Sequence, residues 1–416
     1  MADGPVGVVG GGPAGLAAAV ELRRRGVREV VVLEREAVAG GIPRHARHQG
    51  FGLRDLRRPL SGPAYARRWA QLAREAGAEL LEETMVTGWA ASDRTEPGAL
   101  ELTSPGGRST FDPAAVVLAT GCRERPRSAR LVPGSRPAGV MTTGMLQQLV
   151  YLRGLPAGRR ALVVGAEHVS FSAILTLAHG GAKTVALATE LPRHASLAAF
   201  RAGARLRYRV PVWTRARVSD IRGRERVEEV ELTDLDTGRA RKVACDTVVF
   251  TADWIPDHEL AVMAGMDLDP LTRGPAVDAA LRSSRPGVFA AGNLLHGAEQ
   301  ADVAALSGRH AAAGVVRYLD DGEWPGGRTP IVCEPPLGWI APNVVAGADA
   351  PPRARFALRA RDFLRTPGVE VVQGDSILWS GRLARLMPGR STGIPHGWTA
   401  RADPGGGEIR VRLRRS

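Results

Sequence analysis

A glycine-rich turn directly after a short β-branched run constrains this chain more than any other feature. The run Val6-Gly7-Val8-Val9 ends in Gly10-x-Gly12-x-x-Gly15, and an Ala- and Leu-rich stretch follows at once. In a strand–turn–helix unit the first glycine permits the sharp turn, the second lets a pyrophosphate approach, and the third lets helix and strand pack closely. The free N–H groups of the helix then face the phosphates. The pattern therefore predicts a dinucleotide site.

An acidic residue stands where such a site needs one. The apolar run Glu29–Leu33 ends at Glu34, 19 residues after Gly15. This is close to the ~20-residue spacing expected of a carboxylate that binds a ribose hydroxyl. The strand–turn–helix–strand–acid order favours a dinucleotide site over a glycine turn that serves only packing.

The composition is that of a soluble globular protein. The chain has 416 residues, 44% of them hydrophobic, which suits several domains and a core able to enclose a large cofactor. No apolar run approaches the ~18 residues of a membrane span, so we expect no membrane span and a cytoplasmic protein. The three cysteines, Cys122, Cys245 and Cys333, are far apart and predict no CxxC redox pair or disulfide framework.

The net charge of +13 raises the question of a nucleic-acid partner. The basic residues are almost all arginines, since only Lys183 and Lys242 are lysines, and they are spread among acids along the chain. Because no basic module with interleaved aromatic residues appears, we expect no nucleic acid. A basic surface still suits anionic substrates or an acidic partner subunit.

A second strand–turn–helix unit indicates that the nucleotide-binding fold is duplicated. The first unit continues through a helix predicted at Tyr65–Gly77 to the strand Ala114–Leu118, which ends in Ala119-Thr120-Gly121. The second starts at Arg160, turns at Gly165, and closes on a similar strand. Two such units in one chain amount to an internal duplication.

The later segments first predict a further strand and helix of the first dinucleotide-binding domain and then a separate β-rich part. Gly287–Asn293 reads as a strand ending in Ala-Gly-Asn, just before a helix predicted to start near Asp302. From about Pro325 the sequence predicts a small β-rich appendage with a hairpin over Val369–Ser380. Its tail, Ile409–Leu413, alternates like an edge strand with arginines facing water.

These signals together resemble the pyridine nucleotide–disulfide reductase superfamily, in which the first of two dinucleotide-binding domains holds FAD. Closer still, the chain resembles the FAD subunits of amine and amino-acid dehydrogenases of the opine oxidase, hydrogen cyanide synthase and sarcosine oxidase alpha type. The resemblance spans residues 5–320 and rests on these stretches: Gly40–His45, Gly62–Arg68, Ala119–Pro126, Gly165–Ser170 and Ala301–Gly308. It implies FAD binding and an amine or amino-acid-like small-molecule substrate.

The resemblance also implies which residues hold the cofactor. The pyrophosphate would lie on the glycine fingerprint, the adenosine ribose on Glu34, and the flavin pyrimidine edge at the helix that starts at Asp302. That helix N-terminus would stabilise the anion formed on reduction. The full set implied for FAD is Gly10, Gly12, Pro13, Ala14, Gly15, Glu34, Arg35, Gly41, Ile42, Val86, Ala119, Thr120, Gly121, Gly292, Asn293 and Asp302.

We therefore predict an α/β fold class with two Rossmann-like three-layer ββα dinucleotide-binding domains and a small β-rich C-terminal appendage. The FAD-binding domain is discontinuous. Its parts are predicted at residues 1–125 and 256–324, the second, eroded NAD(P)-type domain at 126–255, and the appendage at 325–416.

The chain departs from its relatives in ways that bear on chemistry. Asn293 stands where an Asp is usual, so it offers hydrogen bonds without charge. The disulfide reductases carry a cysteine pair beside the flavin, and its absence from this sequence argues against dithiol chemistry. Some relatives bear a cysteine-rich iron–sulfur module near the C-terminus, where this chain has only Cys333, so we expect no cluster from it.

The second glycine pattern is eroded to Gly165-x-Glu167-x-x-Ser170. Glu167 puts a carboxylate near the pyrophosphate position, where like charge opposes binding by about a few kcal/mol if poorly solvated. Glu190 stands where a ribose-binding acid belongs, whereas Arg193 would favour a 2′-phosphate. Two interpretations stay open: an NAD(P)H site that includes Gly165, Glu167 and Glu190, or a relic domain kept for architecture. We favour the relic.

No residue stands out as a general base, so the catalytic candidates are histidines near the predicted cofactor. His45 or His48 could transfer a proton or orient substrate, since histidine titrates near neutral pH, but a solvated basic loop fits the sequence as well. His296, with Glu299, follows the Ala-Gly-Asn segment and is a third candidate, or else a helix-entry residue. Because no third ligand accompanies the histidine pair, no metal is expected.

Three functions fit these observations. The leading one is an FAD-dependent oxidoreductase of the amine or amino-acid dehydrogenase type, which works within a hetero-oligomer together with another flavoprotein or electron-transfer subunit. The second is a stand-alone NAD(P)H-dependent flavin reductase, which requires the eroded site to work. The third is a non-catalytic FAD-binding or assembly subunit.

Overall fold

The computed structural model describes residues 4–91, 96–196, 202 and 206–414. The chain forms two compact units. Unit 1 comprises Met1–Arg44, Gln49–Cys122 and Pro256–Ser416, and unit 2 comprises His45–His48 and Arg123–Ile255. Each unit contains a five-stranded parallel sheet, and the α/β class predicted from the sequence is confirmed.

The first part of unit 1 alternates buried strands with helices. Its valine-rich runs form strands because β-branched side chains pack well on a sheet that is buried on both faces. Helix α2 begins earlier than Tyr65, because Ser61 takes the N-cap position and a proline fits its first turn. The elements are β1 (Val6–Val9), α1 (Pro13–Arg24), β2 (Val30–Leu33), β3 (Gln49–Phe51), β4 (Leu60–Ser61), α2 (Gly62–Glu75), β5 (Glu79–Leu81), β6 (Met85–Ala90), β7 (Ala99–Ser104), β8 (Gly107–Phe111) and β9 (Ala115–Leu118), with a 3-10 turn at Ile42–His45.

Unit 2 repeats the strand–helix–strand plan. Its parallel sheet has the order β11-β18-β12-β13-β14, and an antiparallel sheet β15-β16-β17 accompanies it. The short strands β10 and β19 pair with each other. The elements are β10 (Cys122–Glu124), β11 (Val140–Thr142), α3 (Thr143–Gln147), a π-helical turn (Gln148–Leu152), β12 (Arg160–Val164), α4 (His168–His179), β13 (Lys183–Ala188), β14 (Val212–Trp213), β15 (Ala216–Arg222), β16 (Glu229–Asp234), β17 (Ala240–Ala244), β18 (Thr247–Phe250) and β19 (Trp254–Pro256).

The rest of unit 1 completes the first sheet and adds a β-rich part. Strand β20 joins the parallel sheet, whose order is β20-β9-β1-β2-β5. The elements are α5 (Glu259–Met263), β20 (Val288–Ala290), α6 (Ala301–Asp321), β21 (Thr329–Cys333), β22 (Leu337–Ala341), β23 (Val344–Val345), β24 (Arg355–Ala360), β25 (Leu364–Arg365), β26 (Gly368–Gln373), β27 (Ser376–Arg382), β28 (Arg385–Leu386), β29 (Thr392–Pro395) and β30 (Ile409–Leu413), with 3-10 turns at Gly292–Leu294, Pro352–Ala354 and Gly397–Arg401.

Helices α1 and α6 cross closely over the first sheet. A β-carbon on Gly308 of α6 would lie only 1.9 Å from the carbonyl oxygen of Ala14 in α1. Since no side chain fits in that space, a glycine is required at the crossing. The close crossing brings the N-terminal parts of both helices to the same end of unit 1.

Residues 325–414, which we call the C-terminal β module, have a core of their own. Phe356 packs on Trp398 with ring centroids 4.9 Å apart, and both side chains are almost fully buried. The predicted hairpin is present as β26 and β27. The edge position predicted for the tail Ile409–Leu413 is wrong. Strand β30 lies between β21 and β26, because the strand β21 that covers its second side comes from far away in the sequence.

Candidate functional site

The glycine fingerprint forms a cradle in which Gly10 and Gly15 leave no room for a side chain. Gly10 has φ of +106°, and a β-carbon there would lie 2.5 Å from the carbonyl oxygen of Ala119. A β-carbon on Gly15 would lie 1.9 Å from the carbonyl oxygen of Gly10. These distances show that β1, β9 and α1 approach closely at the carboxyl ends of the strands, where open α/β sheets bind their ligands.

The start of α1 is open to an anion. The helix has no side-chain cap and no acidic residue in its first turn. The backbone N–H groups of Gly12, Ala14 and Gly15 have no acceptor among the described residues. Unpaired N–H groups at the positive end of a helix dipole suit a phosphate or pyrophosphate.

Glu34 is fixed beside this cradle, at the end of β2. One carboxylate oxygen accepts the backbone N–H of Gly11 at 2.8 Å, and the other accepts that of Glu36 at 2.8 Å. Burial raises the pKa of Glu34, and these two N–H groups oppose the shift. Each oxygen retains a second lone pair for a hydroxyl donor.

The remaining predicted residues of the first part of unit 1 lie around the cradle to different extents. A β-carbon on Gly41 would lie 2.9 Å from the Cα of Gly12, so the chain passes directly over the fingerprint there. Ile42 follows with an exposed side chain, whereas Val86 is buried in β6. The Arg35 guanidinium is exposed and lies 3.9 Å from the carboxylate of Asp257. Pro13 occupies the first turn of α1.

Two segments from later in the chain reach the same place. The Thr120 hydroxyl, between Ala119 and Gly121, donates to the carbonyl of Asp257 at 2.8 Å. Gly292 has φ of +74°, and a β-carbon there would lie 2.6 Å from the Cβ of Ala14. Ala119, which lies against Gly10, and Gly292 therefore border the fingerprint.

Asn293 and Asp302 are engaged within unit 1. The Asn293 amide oxygen accepts the backbone N–H of Glu299, and its amide nitrogen donates to the Glu299 carbonyl. The buried carboxylate of Asp302 accepts from the Arg54 guanidinium at 3.0 Å and from the Arg54 backbone N–H at 3.2 Å. Helix α6 begins at Ala301, and the N–H groups of Ala301 and Asp302 have no acceptor in the described part of the chain.

The corresponding helix of unit 2 is closed by the chain itself. Glu167 is the N-cap of α4 and forms a capping box with Ser170. Its carboxylate accepts the Ala166 N–H at 2.9 Å, the Ser170 hydroxyl at 2.8 Å, and the Thr251 hydroxyl. Because Thr251 follows β18, the neighbour of β12, the carboxylate lies where the strand order reverses, the position at which open α/β sheets bind ligands. Gly165 leaves no room for a side chain beside Thr251.

A second buried carboxylate lies in the same unit. Glu124 accepts the backbone N–H of Gly144 at 2.7 Å, at the start of α3. Burial raises the pKa of Glu124 to about 7, with Glu167 adding to the shift and Gly144 and Arg130 opposing it. Sequence reasoning missed this group, although Glu124 stands in the Ala119–Pro126 stretch that carries the resemblance.

The other candidates of unit 2 have structural partners. Glu190 is half-exposed and pairs with Arg217 at 3.0 Å. His45 is buried and lies 3.3 Å from the side-chain oxygen of Gln147, while His48 is half-buried in the same short segment. None of these contacts assigns a catalytic step, so both histidines stay predictions.

His296 lies in unit 1, in the loop before α6. Its ring stacks on Trp339 of the C-terminal β module with centroids 4.4 Å apart. Burial lowers the pKa of His296 to about 4, so the imidazole is neutral at neutral pH. Among the described residues, no three His, Cys, Asp or Glu side chains are arranged to hold a metal ion.

Residues 4–308 match the family described as pyridine nucleotide-disulphide oxidoreductase. The chain belongs to this family. It is 27% identical over 387 residues to the A subunit of opine oxidase from Rhizobium meliloti, covering 86% of this chain and 68% of the relative. It is 26% identical over 325 residues to thioredoxin reductase of Treponema pallidum (strain Nichols), covering 76% of this chain and 98% of the relative. A solved structure of T. acidophilum thioredoxin reductase has the same fold, with a TM-score of 0.63 at 24% identity over 77% of this chain and 99% of that one.

Family membership confirms the resemblance found in the sequence. The protein is an FAD-dependent oxidoreductase, and the fold class of two Rossmann-like domains with a β-rich appendage is confirmed. The match ends at residue 308, before the C-terminal β module begins. Among the helices that the structure describes, none is both long enough and apolar enough to cross a membrane.

Proposed function

We propose that this protein is the FAD-binding subunit of a multi-subunit dehydrogenase or oxidase whose substrate is an amine or amino acid of the opine or sarcosine type. One observation carries most of the proposal. The α1 end of unit 1 is open to a pyrophosphate, whereas the equivalent α4 end of unit 2 is filled by Glu167. The open end favours bound FAD. Because Glu167 fills the α4 end, we infer that NAD(P)H is not the electron donor.

The residues of unit 1 fit FAD well. The N–H groups of Gly12, Ala14 and Gly15 would bind the pyrophosphate, and Glu34 would accept the hydroxyls of the adenosine ribose. The free N–H groups at the start of α6 would face the flavin pyrimidine edge. Bound there, FAD would supply a centre that accepts a hydride equivalent from a C–N or C–H bond.

The substrate class and the partner rest on the relatives. The A subunit of opine oxidase matches 86% of this chain, and its name describes one subunit of a larger enzyme. A net charge of +13 suits a carboxylate-bearing substrate or an acidic partner subunit. We therefore include a second flavoprotein or electron-transfer subunit in the proposal, together with the cytoplasmic location predicted from the sequence.

A stand-alone NAD(P)H-dependent flavin reductase is the second candidate. It is favoured by the thioredoxin reductase of Treponema pallidum (strain Nichols), of which this chain covers 98%. Against it, Glu167 occupies the predicted pyrophosphate position, and Glu190, the predicted ribose acid, pairs with Arg217. A non-catalytic FAD-binding subunit is the third candidate.

The proposal is tested by mixing the FAD-loaded protein, without oxygen, with N-substituted amino acids while flavin absorbance is followed. The assay is run on the protein alone and on the complex that co-purifies from its native cells. We expect bleaching by at least one such amino acid, in the complex if not alone. A flavin that dithionite bleaches but no amine reduces in either form would contradict the dehydrogenase and leave the FAD-binding subunit.

A further inference from the structure

Hydrogen bonds between residues of the loop itself join the two ends of the loop between β20 and α6. This flavin loop, residues 292–300, runs from the Ala-Gly-Asn segment to the start of α6. Its ends are tied by the two hydrogen bonds between Asn293 and Glu299, at 2.9 and 3.2 Å. Among the described residues, the carbonyls of Gly297 and Ala298 accept no backbone N–H, so they need donors from side chains.

Arg359 of the C-terminal β module supplies those donors. One terminal nitrogen of its guanidinium donates to the Gly297 carbonyl at 2.7 Å. The other donates to the Ala298 carbonyl at 3.2 Å and to the Glu299 carboxylate at 2.9 Å. The Ser391 hydroxyl, also from the module, donates to the same carboxylate. A planar guanidinium with several fixed donors is well suited to hold three acceptors at once.

The aromatic side chain of Trp339 completes the contact. His296 stacks on its ring, and the Arg359 guanidinium carbon lies 4.7 Å from the ring centroid. The neutral state of His296 avoids a second positive charge beside Arg359. Arg359 and Trp339 lie on the paired strands β24 and β22, so one small sheet presents both side chains to the loop.

Other contacts join the module to unit 1 away from this loop. The side chain of Asn343 accepts the Val277 backbone N–H at 2.8 Å. Arg282 pairs with Asp349 at 2.7 Å. Because these contacts do not involve Arg359, removal of the guanidinium should loosen the flavin loop without detaching the module.

We infer that the C-terminal β module is a positioning element for the flavin. The positioning residues are Arg359 of the module and Glu299 of the flavin loop, which Arg359 contacts. They fix the flavin loop and, through it, the first N–H groups of α6. This inference rests on the proposed FAD site in unit 1. It gives the module, which lies beyond the family match, a role in setting cofactor affinity and the environment of the flavin ring.

The test compares Arg359→Met and Glu299→Gln with the control Arg412→Met. Arg412 lies in the same module and pairs with Glu370 at 3.4 Å, within the module. The measurements are the dissociation constant of FAD, the visible flavin spectrum, and amide hydrogen exchange over residues 292–304 in the cofactor-free protein. We expect Arg359→Met to weaken FAD binding at least about fivefold, with a shifted flavin spectrum and faster exchange in this segment. We expect Arg412→Met to match the wild type.

The inference is overturned if Arg359→Met and Glu299→Gln bind FAD as tightly as the wild type with unchanged exchange over 292–304. That holds even if the melting temperature falls, since a merely structural pair would affect only stability. If Arg359→Met does not fold, the nearly isosteric Glu299→Gln decides. If the wild type takes up no FAD, the proposed function fails, and the exchange measurement alone still tests whether Arg359 and Glu299 fix the flavin loop.

Discussion

The Ser170 hydroxyl donates to a carboxylate oxygen of Glu167 over 2.8 Å at the first turn of α4. With the Ala166 N–H and the Thr251 hydroxyl it surrounds the carboxylate with donors. These donors would otherwise be available to a bound phosphate. The start of α4 thus carries a carboxylate of the chain itself, whereas the start of α1 presents N–H groups with no acceptor among the described residues.

Glu167→Gly should open the second site. The substitution restores the glycine of the fingerprint and removes a like charge worth about a few kcal/mol against a phosphate. We expect NADH or NADPH to bind at least about tenfold more tightly and to reduce the flavin faster, at a stability cost of about 1 kcal/mol for the lost cap. Isothermal titration calorimetry and stopped-flow absorbance would measure both effects.

The matched control is Glu225→Gly, which removes an exposed carboxylate of the same unit. It should leave nicotinamide binding unchanged. No gain from Glu167→Gly over this control would mean that something other than the capping carboxylate closes the second site.

Glu124 should make the stability of the protein fall as the pH rises from about 5 to 7. Its folded-state pKa is raised from 4.5 to about 7, mainly by burial, so over this range the folded state binds more protons than the unfolded state. Stability is then highest below the unfolded pKa and is lost as the pH rises toward the folded pKa, by about 3 kcal/mol at most. Besides burial, Glu167 raises the pKa of Glu124, whereas the Gly144 N–H, the Thr143 side chain and Arg130 lower it.

Glu124→Gln should flatten this part of the pH profile. The measurement is denaturant unfolding between pH 4.5 and 8 for wild type, Glu124→Gln and the exposed control Glu225→Gln. Equal slopes in all three proteins would show that Glu124 titrates at its ordinary pKa.

Gly15→Ala should abolish stable FAD binding. Its added methyl would lie 1.9 Å from the Gly10 carbonyl oxygen, so α1 must move away from β1. Displacing a tightly packed element costs about 1–3 kcal/mol or more. Flavin content after purification and the melting temperature are the readouts.

Gly106→Ala is the control for this glycine. Nothing lies closer than 3.6 Å to a β-carbon at Gly106, and its φ is not in the left-handed region. It should retain full flavin content. If the Gly15→Ala protein retained its flavin, the result would show that the cofactor does not bind at the fingerprint.

Local patterns in the sequence were enough to predict the cradle. The φ of +106° at Gly10 and the closeness of Gly15 to the Gly10 carbonyl oxygen both arise within a few residues. The position of Glu34 at the end of β2 follows from the same short stretch. Such features need only neighbours along the chain, which a single sequence contains.

Features that depend on distant segments could not be predicted in this way. The Thr251 hydroxyl that helps to hold Glu167 lies 84 positions further on, just after β18. Strand β30 takes a central place only because β21 covers its second side. The contact of Arg359 with the flavin loop joins residues about 60 positions apart. No periodicity or spacing in the sequence marks these pairs.

We propose that no nicotinamide reduces the flavin of this protein. The most direct test is an anaerobic titration of the FAD-loaded wild-type protein with NADH and then NADPH, followed by visible absorbance. We expect a flavin that stays oxidised with both reductants and bleaches with dithionite. Prompt bleaching by either nicotinamide would contradict it and establish the flavin reductase.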